Sequence, residues 1–366
     1  MPTPPATDRA GDARPILYHG VEKSTRVNMA VTLGVYPDGR SIGTVARALG
    51  ASWSPDGTRY AYLTPGGASL NVSTLDGDDR TLFNTTYQWR PIVAWPEWSP
   101  DGSRIAIIEV HWCGQGSRVS WVVVLDSESG KTLERHGVYE FWAADADPEY
   151  GPGSFSEPEA IRWSHDGTKL LVSWDSAVVI DLANGDAETI SDRRVVADWA
   201  PSGDAVYYFQ TDEPDDAGRR TLGGFYVKES GSEAIQLMDA DGLAAIDHFG
   251  SPGPIPVMIS LSPTGSMLAV TAEPPEGNIS LVKVYGLASG DAVALDKPSL
   301  TVPANGRIVA IEWSPEEGRL AAVVVGGSGM VTLELLDLAM ETWTTLATPV
   351  IDAGRIDLLR KVLSWG

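Results

Sequence analysis

The sequence predicts an all-β chain folded as a seven-bladed β-propeller of four-stranded antiparallel blades, and three observations point there. A short phrase recurs along the chain: an aromatic, a Pro-Asp-Gly type turn, then an alternating apolar strand. The copies are spaced about as far apart as a four-stranded blade is long. A fragment of one further copy at the C-terminus finds its missing strands at the N-terminus.

Six copies are plain, starting at Trp53 (WSPDGTRYAY), Trp98 (WSPDGSRIAI), Trp163 (WSHDGTKLLV), Trp199 (WAPSGDAVYY), Leu261 (LSPTGSMLAV) and Trp313 (WSPEEGRLAA). Their spacings are 45, 65, 36, 62 and 52 residues, scattered around one blade length with two enlarged intervals. In Ser-Pro-Asp-Gly, Pro presets φ at the second turn position and Gly takes the last, which suits a type I turn between the first two strands. The segments 121–126 (WVVVLD), 177–182 (AVVIDL), 280–285 (SLVKVY) and 331–338 (VTLELLDL) read as third strands, each followed by a turn and a shorter strand.

The seventh copy is split. Counting 52 residues past Trp313 reaches Trp365, in a first strand Leu363-Ser364-Trp365. The segments 16–19, 28–36 and 41–47 supply strands two, three and four before Trp53 opens the next blade. One C-terminal strand and three N-terminal strands close the ring and remove the free sheet edges of an open array. The alternative is a six-bladed ring with both ends as appendages, which leaves the Leu-Ser-Trp echo unexplained. Residues 1–14, rich in Pro, Ala, Thr and Asp, read as a disordered lead-in, and 15–366 as a single propeller domain.

Composition narrows the partners. Lys and Arg number 27 against 49 Asp and Glu, a formal charge of −22, which repels phosphate backbones and anionic lipids. Nucleic acid is therefore not an expected partner. No apolar run approaches the roughly 18 residues of a membrane span, so no membrane insertion is expected. The single cysteine, Cys113, makes no intrachain disulfide and no thiolate metal cluster.

These phrases resemble the WSPDG repeats of TolB-like propellers, found also in the propeller domain of prolyl oligopeptidase-type peptidases. The resemblance covers nearly the whole chain and speaks to fold. It implies protein or peptide binding and a periplasmic or extracellular location. The peptidases carry their chemistry in a separate hydrolase domain, and this chain has no G-x-S-x-G elbow; 326–329 (GGSG) reads as a strand-connecting loop. His165 stands where the phrase normally has Pro and reads as a turn substitution.

In a four-stranded meander the turns alternate between the two faces of the disc. The Ser-Pro-Asp-Gly turns share one face with the turns joining strands three and four. The long insertions 84–96, 111–120, 136–158, 210–223, 239–256, 273–278 and 296–307 are all expected on the other face, the usual place for a propeller's binding site. Trp89, Trp95, Trp112 and Trp142 lie in or beside these loops, with Tyr87, Tyr139, Phe141, Tyr150 and Phe155. Such residues either pack the loops or stack on sugars and grip peptides. The segment 139–159 also carries six acidic residues and no basic one, and reads as a solvated acidic loop or one receiving a basic partner. Its Asp145-Ala-Asp147-Pro-Glu149 run departs from a calcium loop, with Tyr150 where the turn glycine belongs.

A second candidate site is the channel. The innermost strand of each blade ends in the residue before the repeat aromatic: Ser52, Glu97, Arg162, Asp198, Ser260, Glu312 and Ser364. All seven are polar, as expected of groups facing a wet central pore. Either the pore is merely hydrated, or Glu97, Asp198, Glu312 and Arg162 hold a cation or polar small molecule.

No catalytic set is assigned, because the five histidines are scattered without metal-ligand spacing, and no metal ligand or cofactor is called. The reading is a non-catalytic binding propeller that recognises a peptide, protein or glycan through its loop-bearing face. The alternatives are a lyase or hydrolase acting at the channel mouth, possibly assisted by a metal, and a structural scaffold in an envelope assembly. No oligomeric state follows from the sequence.

Overall fold

In Ser-Pro-Asp-Gly the Gly57 amide donates to the Ser54 carbonyl at 2.8 Å, and Gly57 takes a φ of +66°, open to glycine without strain. The Ser54 hydroxyl donates to Asp56 at 2.6 Å, and the same carboxylate accepts the Thr58 amide at 3.1 Å. The set repeats with Ser99, Asp101 and Ser103, and with Ser164, Asp166 and Thr168. A turn fixed by its own side chains starts each of these three hairpins, and His165 sits in one of them.

The computed structural model describes residues 14–23, 28–46, 49–64, 67–85, 92–114, 117–141, 160–173, 176–192, 195–200, 203–211, 222–239, 259–264, 266–272, 279–286, 298–348 and 363–365. The expected disordered lead-in, Arg14 apart, lies outside them.

The first blade holds β1 (Ile16–Lys23), β2 (Asn28–Val35) and β3 (Ser41–Ala46), the second β4 (Leu49–Trp53), β5 (Tyr60–Leu63), β6 (Ser69–Ser73) and β7 (Arg80–Asn84). The third is β8 (Ile92–Trp98), β9 (Arg104–Gly114), β10 (Ser117–Asp126) and β11 (Thr132–Phe141). The fourth is β12 (Ala160–Trp163), β13 (Lys169–Ser173), β14 (Ala177–Asp181) and β15 (Ala187–Ser191). The fifth is β16 (Val195–Trp199), β17 (Ala205–Thr211), β18 (Leu222–Glu229) and β19 (Ile235–Asp239). The sixth is β20 (Ile259–Leu261), β21 (Met267–Ala272), β22 (Leu281–Gly286) and β23 (Leu300–Pro303). The seventh is β24 (Arg307–Trp313), β25 (Arg319–Val325), β26 (Val331–Asp337) and β27 (Thr342–Ala347).

The last strand, β28 (Leu363–Trp365), pairs antiparallel with β1, Ile16 opposite Trp365. This gives seven four-stranded sheets, with the first blade ordered β28-β1-β2-β3, and the six-bladed alternative falls away.

Apolar residues of facing strands fill the seams between blades. Ala106, Ile108, Val110, Val122 and Val124 of the third blade pack on Ile161, Leu170, Val172 and Ile180 of the fourth. Each repeat tryptophan adds a directional link to the blade before it. The indole N–H of Trp98 donates to the Ser52 carbonyl at 3.1 Å, Trp163 to Glu97 at 3.0 Å, Trp199 to Arg162 at 3.1 Å and Trp313 to Ser260 at 2.9 Å. At the joint between the ends, Trp53 reaches Pro15 at 2.9 Å and Trp365 reaches Arg14 at 3.1 Å. In three turns the arginine that closes the turn covers the next tryptophan: Arg59 lies over Trp98 at 5.1 Å, Arg104 over Trp163 at 4.7 Å and Arg319 over Trp365 at 5.5 Å. The Arg104 guanidinium also donates to the Gly167 carbonyl at 2.6 Å, where a Cβ on Gly167 would lie 3.2 Å from it.

The turn carboxylates are held ionised. Hydrogen bonds from Ser99 and Ser103 hold the Asp101 carboxyl at about 2. A carboxylate lowered in the folded state adds stability above its unfolded pKa and loses it as pH falls through the folded one. Asp101→Ala is therefore expected to lower the melting temperature at pH 7, with the deficit shrinking from about pH 4 and gone near pH 2, checked by melts across that range.

Candidate functional site

The structure corrects the expectation that every long insertion lies on one face. Segment 296–307 is not a loop: it contains β23, the fourth strand of blade six. In that blade β22 ends at Gly286 and β23 begins at Leu300, and these two strand ends lie toward the Ser-Pro-Asp-Gly face. Segment 111–120 is not an inserted loop either. Residues 111–114 and 117–120 form the upper parts of β9 and β10, which continue as a paired ribbon to Gly114 and Ser117.

Among the described residues, that ribbon is what stands out on the loop-bearing face. After the same turn, β9 runs 11 residues where β13 of the next blade runs 5. At about 3.3 Å per residue the difference is roughly 20 Å of strand. Its root is stiffened by charge. Glu109, 4% exposed, accepts a 2.8 Å bond from Arg135, whose guanidinium lies 4.9 Å above the Trp121 ring. Above the root, Trp112 of β9 stands opposite Arg118 of β10, which stands opposite Phe141 of β11. Two residues lower the row is Val110, Ser120 and Tyr139. By register, Trp112, Arg118 and Phe141 form one row of paired residues and Val110, Ser120 and Tyr139 the next, and Val110 packs toward blade four.

Three of the sequence-selected aromatics, Trp112, Tyr139 and Phe141, are thus brought together by register. Trp95 lies on β8, within the irregular stretch between Ala94 and Glu97. Trp89, Trp142 and Tyr150 lie outside the described residues. Sequence reasoning missed Arg118, Glu109 and Arg135. The alternation of 104–114 was the available signal, but 111–120 reads as an insertion.

The channel positions all lie on innermost strands, which follow one another around the axis. The Ser52 hydroxyl donates to the Pro96 carbonyl, and Ser364 accepts the Trp53 amide at 3.1 Å, so both serines tie blades together and are buried. Ser260 is half-buried and lends its carbonyl to Trp313. Arg162 donates to Glu97 at 2.8 Å, with 37% and 16% of their side-chain surfaces open. Burial opposes the guanidinium charge, but Glu97, Asp198 and Glu312 outweigh it and raise the arginine's pKa. Four blades therefore contribute to one electrostatic group of three carboxylates and a single guanidinium.

Asp198 accepts its neighbour's amide, Trp199 N–H, at 2.9 Å and the Leu261 amide of blade six at 3.4 Å. Leu261 replaces the repeat tryptophan, so no indole is available there and the carboxylate supplies a link instead. Burial pushes the Asp198 carboxyl up, against the pull of Arg162 and the two amides. Among the described residues, no three His, Cys, Asp or Glu side chains gather as a metal site.

No protein-family profile matches the sequence, and no curated protein matches it. Solved structures share its fold. The acylaminoacyl peptidase of Pyrococcus horikoshii superposes with a TM-score of 0.60 at 15% identity, over 91% of this chain and 50% of that one. The chain thus spans about half of that peptidase's length. The β-propeller domain of the Trilobed protease from Pyrococcus furiosus, described as having an open velcro topology, gives 0.56 at 14% identity over 92% and 93% of the two chains. An oligogalacturonate lyase in complex with manganese gives 0.55 at 10% identity over 94% and 90%. TolB from Acinetobacter baumannii is also among the neighbours, at 14% identity over 90% and 79% of the two chains, with a TM-score of only 0.43. The molecule is a seven-bladed β-propeller, of an architecture shared by proteins of quite different function. Among the described residues no helix is long and apolar enough to cross a membrane.

Proposed function

We propose that this protein is a binding propeller, without catalysis of its own, which takes a peptide, protein or glycan on its loop-bearing face beside the ribbon of blade three. The observation behind the reading is the overhang of β9 to β11, which sets Trp112, Arg118 and Phe141 in one register row. Two aromatic residues in register with an arginine on paired strands suit a ligand with flat apolar faces and hydrogen-bond acceptors. A periplasmic or extracellular location goes with this reading through the resemblance to TolB-like propellers.

The test is binding of the full chain to arrayed peptides and oligosaccharides. A hit should weaken about 30-fold or more in Trp112→Ala and in Phe141→Ala, the size of an interface hot spot, while the melting temperature stays within a few degrees. Binding indifferent to both substitutions would remove the ribbon from the site.

A second reading, a lyase or hydrolase at the channel mouth, draws support from the charged group formed by Glu97, Arg162, Asp198 and Glu312. A carboxyl raised by burial, such as Asp198, is suited to hold a proton for general acid work. Ligand binding lost in Glu97→Gln but kept in Trp112→Ala would favour it.

A further inference from the structure

The turn of blade six lacks the residue that holds its counterparts. In blades two, three and four an aspartate at the third position, Asp56, Asp101 or Asp166, accepts the serine hydroxyl two residues before it. It also accepts the amide two residues after it. In blade six the same position is Thr264, which has no carboxylate to offer.

A carboxylate arrives from the next blade. Glu317, in the turn of blade seven, accepts the Thr264 amide and, at 3.0 Å, the Ser266 hydroxyl. Its carboxylate also has the Ser262 hydroxyl among its hydrogen-bonding neighbours. Ser262 is the serine of the blade six turn, and its hydroxyl still receives the Met267 amide at 3.1 Å.

Glu317 occupies a costly place. It stands where Gly57, Gly102 and Gly167 stand in the other turns, and it takes their left-handed backbone, with φ of +58°. A side chain with a β carbon is disfavoured there by roughly 1–2 kcal/mol, and glycine is not. The turn runs Ser314-Pro315-Glu316-Glu317-Gly318, so a glycine is adjacent but one place late.

We infer that Glu317 is a clasp lent across the seam, supplying to blade six the carboxylate that its own turn has lost and making that seam sensitive to acid. Glycine is given up at the left-handed position because only a side chain there reaches the neighbouring turn. The donors facing Glu317 from blade six belong to Ser262, Thr264 and Ser266, none of which titrates in the acid range. In its own turn the charged neighbours are Glu316 and Arg319, 3.9 Å apart. Burial pushes the Glu317 carboxyl up, and the bonds from Thr264, Ser262 and Ser266 outweigh it and bring it below the usual glutamate range. The clasp is thus in place at neutral pH and is released as pH falls below about 4.

The experiment is a double-mutant cycle on the full chain with Glu317→Gly and Thr264→Asp, read by melting temperature at pH 7 and pH 3.5. An aspartate at 264 would restore the internal turn carboxylate, but in the native background it would face Glu317 as a like charge. Thr264→Asp should therefore lower the melting temperature alone and raise it on top of Glu317→Gly, by on the order of 2 °C each way. Glu317→Gln provides a variant that keeps the side-chain shape; its deficit should be present at pH 7 and diminished at pH 3.5. If Thr264→Asp has the same effect in both backgrounds, or Glu317→Gln melts in parallel with the native protein at both pH values, the clasp is wrong.

Discussion

Trp98→Ala is expected to lower unfolding free energy by about 3–5 kcal/mol, the cost of removing a large buried aromatic. Trp98 is 6% exposed, packs with Ile105, Ile107 and Val123, and carries the link to the Ser52 carbonyl and the stacked Arg59. Trp98→Phe separates these contributions. It keeps a ring in the seam but leaves the buried Ser52 carbonyl without its donor, which costs about 1–3 kcal/mol. Trp343 serves as the control: its indole also donates to a carbonyl, that of Pro303 at 2.8 Å, but it lies at the partly exposed outer strand β27. Trp343→Phe should cost under about 1 kcal/mol, because water can replace the lost donor. Urea unfolding of the three variants decides the matter, and equal losses from Trp98→Phe and Trp343→Phe would show that the inner links add nothing special.

Arg162→Met should be the most damaging change among the channel residues at neutral pH and should lose much of its effect in acid. The guanidinium is the positive charge set against Glu97, Asp198 and Glu312. Breaking a fully buried pair costs about 3–5 kcal/mol, but Arg162 keeps 37% of its side-chain surface, so solvent screening reduces the expectation to about 1–3 kcal/mol. The pH dependence follows from sign. Asp198 has a folded pKa above its unfolded one, so its ionised form costs stability at neutral pH, and that cost disappears as pH falls through the folded pKa. Without Arg162 the carboxylates lose their attraction and keep their mutual repulsion, so protonation relieves the variant more than the native protein. Urea melts at pH 7 and pH 4 should show the gap narrowing; a gap that stays constant would mean that Arg162 acts by packing and not by charge.

The parts of this molecule that were legible in the sequence are those fixed by short-range chemistry. Ser54-Pro55-Asp56-Gly57 makes its turn from its own side chains, and the strands on either side follow from alternation. Even the split blade could be read, because Leu363-Ser364-Trp365 repeats the end of an innermost strand. Legibility failed where the local pattern misled. Leu300–Pro303 is a four-residue strand ending in proline, indistinguishable locally from a loop, and it was read as part of 296–307. Segment 111–120 reads as an insertion where β9 and β10 in fact continue as a ribbon. The row of Trp112, Arg118 and Phe141 depends on strand register, which composition does not encode. Glu317 had a faint signal, a misplaced glycine in Ser-Pro-Glu-Glu-Gly, but its destination in another blade did not.

The joint between the two ends has a bearing on how freely the rest of the molecule can vary. Trp365 meets Arg14 across 351 positions, and the entropy of closing so long a loop rises only with the logarithm of its length. Compared with a loop a tenth as long, closure costs about 2 kcal/mol more. Three residues of β28 offset this with their sheet pairing, the Trp365 and Ser364 bonds and the Arg319 stack. Once that cost is met, twenty further residues in any connection add less than about 0.1 kcal/mol to it. The ring can therefore lengthen a ribbon or a connection on one blade, as it does on the third, while the closing joint hardly registers the change.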